Sequence, residues 1–443
     1  MSNAEHTHLD PNLLRQAVAS ANGAGRPLFL VALATKPCYI KLASLVFALR
    51  SRKVPFLLVD VGQHYEFALT NAKEELAYHD LVGVHLGIRG GLVERSADLA
   101  RKLQWLAGEL RGAGLREPPI PVVSGDTSTA AYLPIFWYML TGYRSVHVEA
   151  GLRASGPAED WEWRGLEGLL LQRTTGWRRF RDDPFPEGID TVLASVASDL
   201  LLAPVRRNAE TLEREGYESQ QVHIVGSLSA DAVDLALERP ESDDDFRQAL
   251  ARDKWLRVDV HRRENMTRSK LRALIDGLAA YSDQGGKVVL IMTNALRAAL
   301  EEYEMRPLLE DAERRHGLLV QNLWPSYLSV VHFLRSPNCL AVYTDSGGLQ
   351  EEANVLGVPC ITCRFSTDRP ETVLDAESNI LLPPANSDLV ARGLGEILSS
   401  PPGRVWPGLQ ERKLYGERVG ERIAELLDEY TPQPAAKGAE LVF

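Results

Sequence analysis

Short apolar, β-branched runs alternate with longer stretches of helical spacing along almost the whole chain. Runs at 28–34, 55–61, 121–124, 144–148, 199–203 and 222–225 read as strands. A second series at 256–260, 287–292, 318–323, 339–344, 359–363 and 380–382 repeats the pattern. Between them, segments such as 40–50, 97–111, 270–281 and 349–356 carry apolar residues at the helical period. Strands separated by helices predict parallel sheets with crossover helices on both faces. The fold class expected is α/β.

The acidic stretch 237–253, with Asp243, Asp244 and Asp245 in a row, interrupts this rhythm and reads as the link between two halves. Expected boundaries are an N-terminal extension at 1–24, a first domain at 25–215 and a second domain at 216–400. A last helical signal, 411–430, lies beyond the second sheet, so 401–430 is expected to pack back on the first domain. A frayed tail follows at 431–443. One connection is too long for a βα loop: 157–183 carries Trp161, Trp163 and Trp177 and the basic run Arg178, Arg179, Arg181. A connection of this length is usually functional or disordered, and three tryptophans argue against disorder. It is read as an insertion in the first domain, either a surface or dimer element or a lid over a cleft.

At 443 residues the chain exceeds one compact core. A formal net charge of −11 makes generic nucleic-acid binding a poor fit. The first twelve residues lack the basic-then-apolar order of a signal peptide. The apolar run 130–140 contains Pro134 and is too short to cross a bilayer. Four cysteines in so long a chain make no disulfide framework. The expectation is a cytoplasmic protein without membrane or nucleic-acid partners.

The most informative stretch is Thr344-Asp-Ser-Gly-Gly-Leu-Gln-Glu-Glu352, which follows an apolar run and opens a helix. Two glycines at a helix start let backbone N–H groups approach an anion closely, where the helix dipole favours negative charge. Glu351 and Glu352, a turn further in, suit sugar hydroxyls better than phosphate. The same residues would also make an ordinary Ser-capped helix. His261-Arg262-Arg263-Glu264 ends another strand, where its cations could neutralise a diphosphate or form a solvated cluster. Asp126 and Glu149 each end a strand of the first half, as a proton-transfer pair or as caps and ion pairs. Thr35-Lys36-Pro37 and Lys41 add positive charge at the end of the first strand. Cys360 and Cys363 have no second pair, so core packing outweighs zinc or redox work. No dinucleotide or Walker fingerprint occurs, and the histidines show no metal-ligand spacing. No cofactor and no metal are expected.

Taken in order, these segments resemble the non-hydrolysing UDP-N-acetylglucosamine 2-epimerases. The resemblance runs from about Leu33 to Leu426. It passes through Thr35-Lys-Pro, Lys41, Gln63-His64, Gly125-Asp-Thr, His147-Val-Glu-Ala-Gly-Leu-Arg153 and Pro184-Phe-Pro-Glu187. It continues through His261-Arg-Arg-Glu-Asn265, Asp345 to Glu352, Thr367-Asp-Arg-Pro-Glu371 and Tyr415-Gly416. The resemblance implies two Rossmann-like domains facing across a cleft, a GT-B-like arrangement, commonly as a homodimer. It implies a UDP-sugar substrate, epimerised at C2 by elimination of UDP to a glycal and re-addition. On that reading Asp126, Glu149 and Glu187 are acid/base candidates and His261 stabilises the leaving diphosphate. Lys36, Lys41, Gln63, Arg153, Arg262, Ser346, Gly347, Gly348, Glu352 and Arg369 are the substrate-binding candidates.

The chain also departs from the family. The first motif reads Lys36-Pro37-Cys38 where Arg-Pro-Glu is usual. After Glu187 it offers Gly188-Ile-Asp190-Thr191 where Glu, Asn and Arg are usual. Release of free N-acetylmannosamine, glycosyl transfer on the same architecture, and a non-catalytic UDP-sugar sensor are the rival readings.

Overall fold

The structure is a computed structural model that describes residues 7–62, 72–158, 165–181, 184–240, 249–324, 326–410 and 413–434. The chain divides into two compact units. Unit 1 comprises Met1–Leu152, Pro186–Leu235 and Tyr415–Phe443; unit 2 comprises Arg153–Phe185 and Ala236–Leu414.

The sheet of unit 1 runs in the order His8–Leu9, Val82–His85, Phe56–Asp60, Phe29–Leu33, Ile120–Ser124, Ser145–Val148, Ser198–Ala203, Val222–Ile224. Every neighbouring pair is parallel except the first. Phe29–Leu33 is buried at every position, as a central parallel strand with helices on both faces must be. Strand order reverses between Phe29–Leu33 and Ile120–Ser124, which places a topological switch point at their carboxyl ends. Two helices start at that point. Lys36–Arg52 has proline in its first turn, where a missing N–H costs nothing. Ser128–Thr141 is capped by the Thr127 side chain, which accepts from the Ala130 N–H, and is stopped by Gly142 in the left-handed conformation.

The sheet of unit 2 is all parallel, in the order Leu319–Asn322, Val288–Met292, Trp255–Asp259, Cys339–Thr344, Cys360–Thr362, Asn379–Leu381. Its switch point falls between Trp255–Asp259 and Cys339–Thr344. The Thr344 hydroxyl donates to the Asp259 carbonyl at 2.7 Å and locks the two ends together. Cys360 and Cys363 lie buried in the core, and burial pushes the Cys360 thiol up to about 12.

The units are drawn differently from the boundaries expected of the sequence. The expected N-terminal extension is part of the fold where it is described: helix Pro11–Ala24 buries Leu14, Ala17, Val18 and Ala21 in the core of unit 1. Residues 216–235 stay with unit 1 and 401–414 with unit 2. Helix Val419–Glu429 packs on Lys36–Arg52 within unit 1, with Arg52 paired to Glu425.

The insertion, expected in the first domain, belongs to unit 2. Helix Gly165–Leu170 drives Leu166 and Leu169 into the same core as Val390, Leu394 and Ile397. Gln172 then completes the edge strand Asn379–Leu381. Its side-chain carbonyl accepts from the Leu381 N–H at 2.7 Å, and its amide donates to the Leu381 carbonyl at 3.3 Å. An open sheet edge is thereby paired. Ser155–Pro157 and Trp177–Arg179 form an antiparallel pair, and Ser155 bridges to Thr367. The described residues of the segment thus pack into the core and onto the sheet edge of unit 2. Trp161 and Trp163 lie outside the described residues.

Candidate active site

In unit 1 the candidates converge on the carboxyl ends of the strands. Gly125 turns at φ 74° directly after Ile120–Ser124 and sets Asp126 at the mouth of the sheet. His147, fully buried on the next strand, holds that turn: its Nε2 lies 3.0 Å from the Gly125 carbonyl, which can only accept. The other ring nitrogen lies 3.1 Å from the Ser195 hydroxyl. Glu149 follows the strand in a left-handed conformation, φ 65°. For a residue with a side chain this is uncommon, and such strain gathers at functional sites. Glu149 is buried, and its Oε1 lies 2.5 Å from Lys41 Nζ in helix Lys36–Arg52. A Cβ on Gly125 would stand 3.1 Å from Glu149 Oε2, so the Asp126 turn rests on this carboxylate.

Glu187 opens helix Glu187–Val196, and Asp190 lies three residues on, one turn further along the same face. Asp190 accepts from the Ser128 hydroxyl at 2.8 Å. Burial pushes its pKa up to about 7, opposed by the Ser128 hydrogen bond and reinforced by the charges of Asp126 and Glu187. Three carboxyl groups therefore share one electrostatic neighbourhood, with Glu149 close behind. Asp190 was not among the residues expected to function. Its signal was its spacing from Glu187. Lys36 sits partly exposed in the first turn of helix Lys36–Arg52. Gln63 lies outside the described residues.

In unit 2 the second switch point gathers His261, Arg262, Ser346, Gly347, Gly348, Glu352 and Arg369. Ser346 caps helix Gly347–Leu356, its hydroxyl accepting from the Leu349 N–H. Asp345 is completely buried. Its carboxylate accepts from the backbone N–H groups of His261 (3.0 Å) and Arg262 (3.0 Å) and from the Asn265 amide (2.8 Å). That residue thus moulds the loop that carries His261. The His261 ring is exposed on one side, with Asp345 Oδ1 at 3.4 Å and Asp259 Oδ1 at 3.7 Å from Nδ1. Burial disfavours its charge, but Asp345 and Asp259 outweigh that and raise its pKa.

Gly347 is required sterically: a Cβ there would come within 2.9 Å of Asp368 Oδ2. A Cβ on Gly348 would meet nothing nearer than 3.9 Å. Arg369, buried, pairs with Glu351 and with Asp368 at 3.0 Å. Arginines 369, 364 and 262 outweigh the cost of burying Asp368 and hold its carboxyl far below the usual range. Glu352 accepts from the buried Tyr327 hydroxyl at 3.3 Å. Arg153, also buried, begins the segment that belongs to unit 2. Among the described residues, no group of three or more His, Cys, Asp or Glu is arranged to hold a metal ion. None of their helices is long and apolar enough to cross a membrane.

Two parallel α/β units, each with polar residues gathered at its switch point, define an enzyme of the GT-B-like class. The family model described as UDP-N-acetylglucosamine 2-epimerase matches residues 174–428, more than half of the chain. The chain belongs to the UDP-N-acetylglucosamine 2-epimerase family and is an isomerase. It is 28% identical over 361 residues to the UDP-N-acetylglucosamine 2-epimerase of Methanococcus maripaludis, covering 79% of this chain and 86% of that one. The crystal structure of the Methanocaldococcus jannaschii enzyme, in complex with UDP-GlcNAc and UDP, is similar with a TM-score of 0.72 at 25% identity. It covers 90% of this chain and 99% of that chain. The Neisseria meningitidis enzyme bound to UDP-GlcNAc gives 0.73 at 20% identity, covers 91% of this chain and all of that one, and speaks to fold alone.

Proposed function

We propose that this protein interconverts UDP-N-acetylglucosamine and UDP-N-acetylmannosamine by inverting C2 without hydrolysis. The observation that carries the reading is the switch point of unit 2. There a glycine-led helix start lies at a strand end beside His261, in a chain of this family. Such a helix start suits a diphosphate, and the archaeal relative is described as bound to UDP-GlcNAc and UDP.

No carbonyl acidifies the C2–H bond of the sugar, so direct removal of that proton is prohibitive. A carboxylate of the Asp126, Glu149, Glu187 group takes the C2 proton while the C1–O bond breaks. The C–H pair becomes the C1=C2 double bond, and UDP leaves with the C–O pair. His261, with Arg262 and the N-terminus at Ser346–Gly348, stabilises the departing charge. Return of UDP to C1, with a proton delivered to the opposite face of C2, gives the epimer. Lys41 pairs with Glu149 and holds its carboxyl group in place, and Glu352 grips the ribose. The step balances within substrate and protein, so it calls for no redox cofactor. A homodimer belongs to the same reading, with exposed Met139, Ile189 and Val196 on two packed helices as the apolar surface a second copy would cover.

Incubation with UDP-N-acetylglucosamine in D2O tests this. UDP-N-acetylmannosamine carrying deuterium at C2 is the expected product. Free N-acetylmannosamine with UDP would replace epimerisation by hydrolysis, and unchanged substrate would reject both.

A further inference from the structure

Strand Trp255–Asp259 runs through the middle of the unit 2 sheet, yet carries two charged side chains in its buried length. Residues 257 and 259 alternate onto the same face. Arg257 is 2% exposed, its Nη2 donates to Asp259 Oδ2 at 2.9 Å, and its guanidinium lies over the Trp324 ring, 4.2 Å from the centroid. The remaining donors Nε and Nη1 have no hydrogen-bond partner. A buried ion pair with unsatisfied donors is poor value for stability, since apolar replacement of such a pair is often neutral or stabilising. Something other than the core accounts for it.

That role is visible at the far oxygen of Asp259. Oδ2 faces Arg257, whereas Oδ1 faces His261 Nδ1 at 3.7 Å. Asp345 Oδ1 lies nearer to Nδ1, at 3.4 Å, and acts more strongly on the ring, but its oxygens also serve the backbone of the His261 loop and Asn265, so Asp259 is the second carboxylate on the same nitrogen. The charged groups around the ring are thus Asp259 from the strand, Asp345 from the neighbouring strand end and Arg262 from the loop itself. Arg262 opposes a charge on the ring and is partly balanced by Asp368 at 3.8 Å. Two carboxylates crowded on one imidazole would drive one another towards protonation. Arg257 prevents that: burial works against the Asp259 carboxylate, but the nearby His261 ring and the Arg257 guanidinium hold it down at about 2.

We propose that Arg257 and Asp259 are positioning residues that, with Asp345, turn His261 Nδ1 towards the strand and favour a charge on the ring, leaving Nε2 for the departing diphosphate. The inference deepens the function proposed above, because it concerns how the group that meets the diphosphate is kept charged. A ring pinned at Nδ1 by a carboxylate has one orientation and a fixed proton inventory.

The test is the titration of His261 in the intact protein, by NMR with labelled histidine, beside the pH dependence of epimerisation. In D259N the His261 midpoint should fall, because one of the two carboxylates that favour the charged ring is lost. The rate should follow: the ratio of D259N to wild-type turnover should fall as pH rises, with KM little changed. R257M/D259T removes both charges together, guards against a folding defect, and should show the same midpoint shift. A merely structural role would lower the rate equally at every pH. An unmoved His261 midpoint in both variants overturns the proposal. The titration needs no turnover, so a protein that failed to epimerise would still answer this question separately.

Discussion

Ser128 donates to Asp190 across 2.8 Å, so the first turn of helix Ser128–Thr141 holds a carboxyl group that belongs to the first turn of helix Glu187–Val196. The contact ties the segment bearing Asp126 to the one bearing Glu187. It also leaves a buried acid that titrates near neutrality.

A folded-state pKa of about 7, above the ordinary aspartate value of 3.8, means that Asp190 is neutral in the native protein at pH 5 while the unfolded chain is ionised. Its contribution to stability is complete below pH 3.8 and is lost as pH rises towards 7. D190N, isosteric with the protonated acid, should therefore raise the melting temperature little at pH 4 and progressively more up to pH 7. Equal shifts at both ends of that range would contradict a raised pKa.

Lys41 and Glu149 form a buried pair, and removing one partner of such a pair typically costs about 3–5 kcal/mol. K41M should destabilise the protein more than the double variant K41M/E149Q does. Denaturant melts of the single and double variants decide it, and additive effects would show that the pair is not coupled. E149Q alone should lower turnover by about 10²–10⁴-fold, the usual worth of a general acid or base.

Gly347 and Gly348 separate two roles that a sequence motif merges. A Cβ at 347 collides with Asp368, whereas one at 348 has room in the protein. G348A should melt within a degree or so of wild type yet bind UDP about tenfold more weakly, because the methyl blocks backbone approach to phosphate. Calorimetric titration with UDP reads this directly. Undiminished affinity would move the diphosphate away from this turn.

Leu169 is fully buried in the core of unit 2. L169A should cost about 2–5 kcal/mol, and replacing 157–183 by a short linker should compromise folding. A linker variant with a wild-type melting curve would return the segment to the status of an appendage.

The central strands were legible because each is a short apolar run buried on both faces, as at Phe29–Leu33 and Cys339–Thr344. Val82–His85 was not, since Gly83 breaks its apolar character and its identity comes from pairing with a neighbouring strand. The helix Ser128–Thr141 hid for the opposite reason: it is apolar nearly all round, so no period stands out. At the site, the strand-end carboxylates and the Ser-Gly-Gly turn could be read from local order. Arg257 and Asp259 were equally readable, as charges two apart in an otherwise apolar strand, but nothing local said that Asp259 would meet His261. The insertion failed because its partners, Leu381 and Val390, lie some two hundred residues away.

The interleaving of the two units along the chain has a consequence for biosynthesis. Unit 1 owns the first residues and also helix Val419–Glu429, whose backbone N–H groups at Val419 and Gly420 are met by the Asp231 carboxylate. On the ribosome, every residue of unit 2 is therefore made before the last piece of unit 1 exists. The unit that begins first must finish last, with the surface of helix Lys36–Arg52 waiting uncovered for its partner. No single cut in the gene can release the two units as separate, complete proteins.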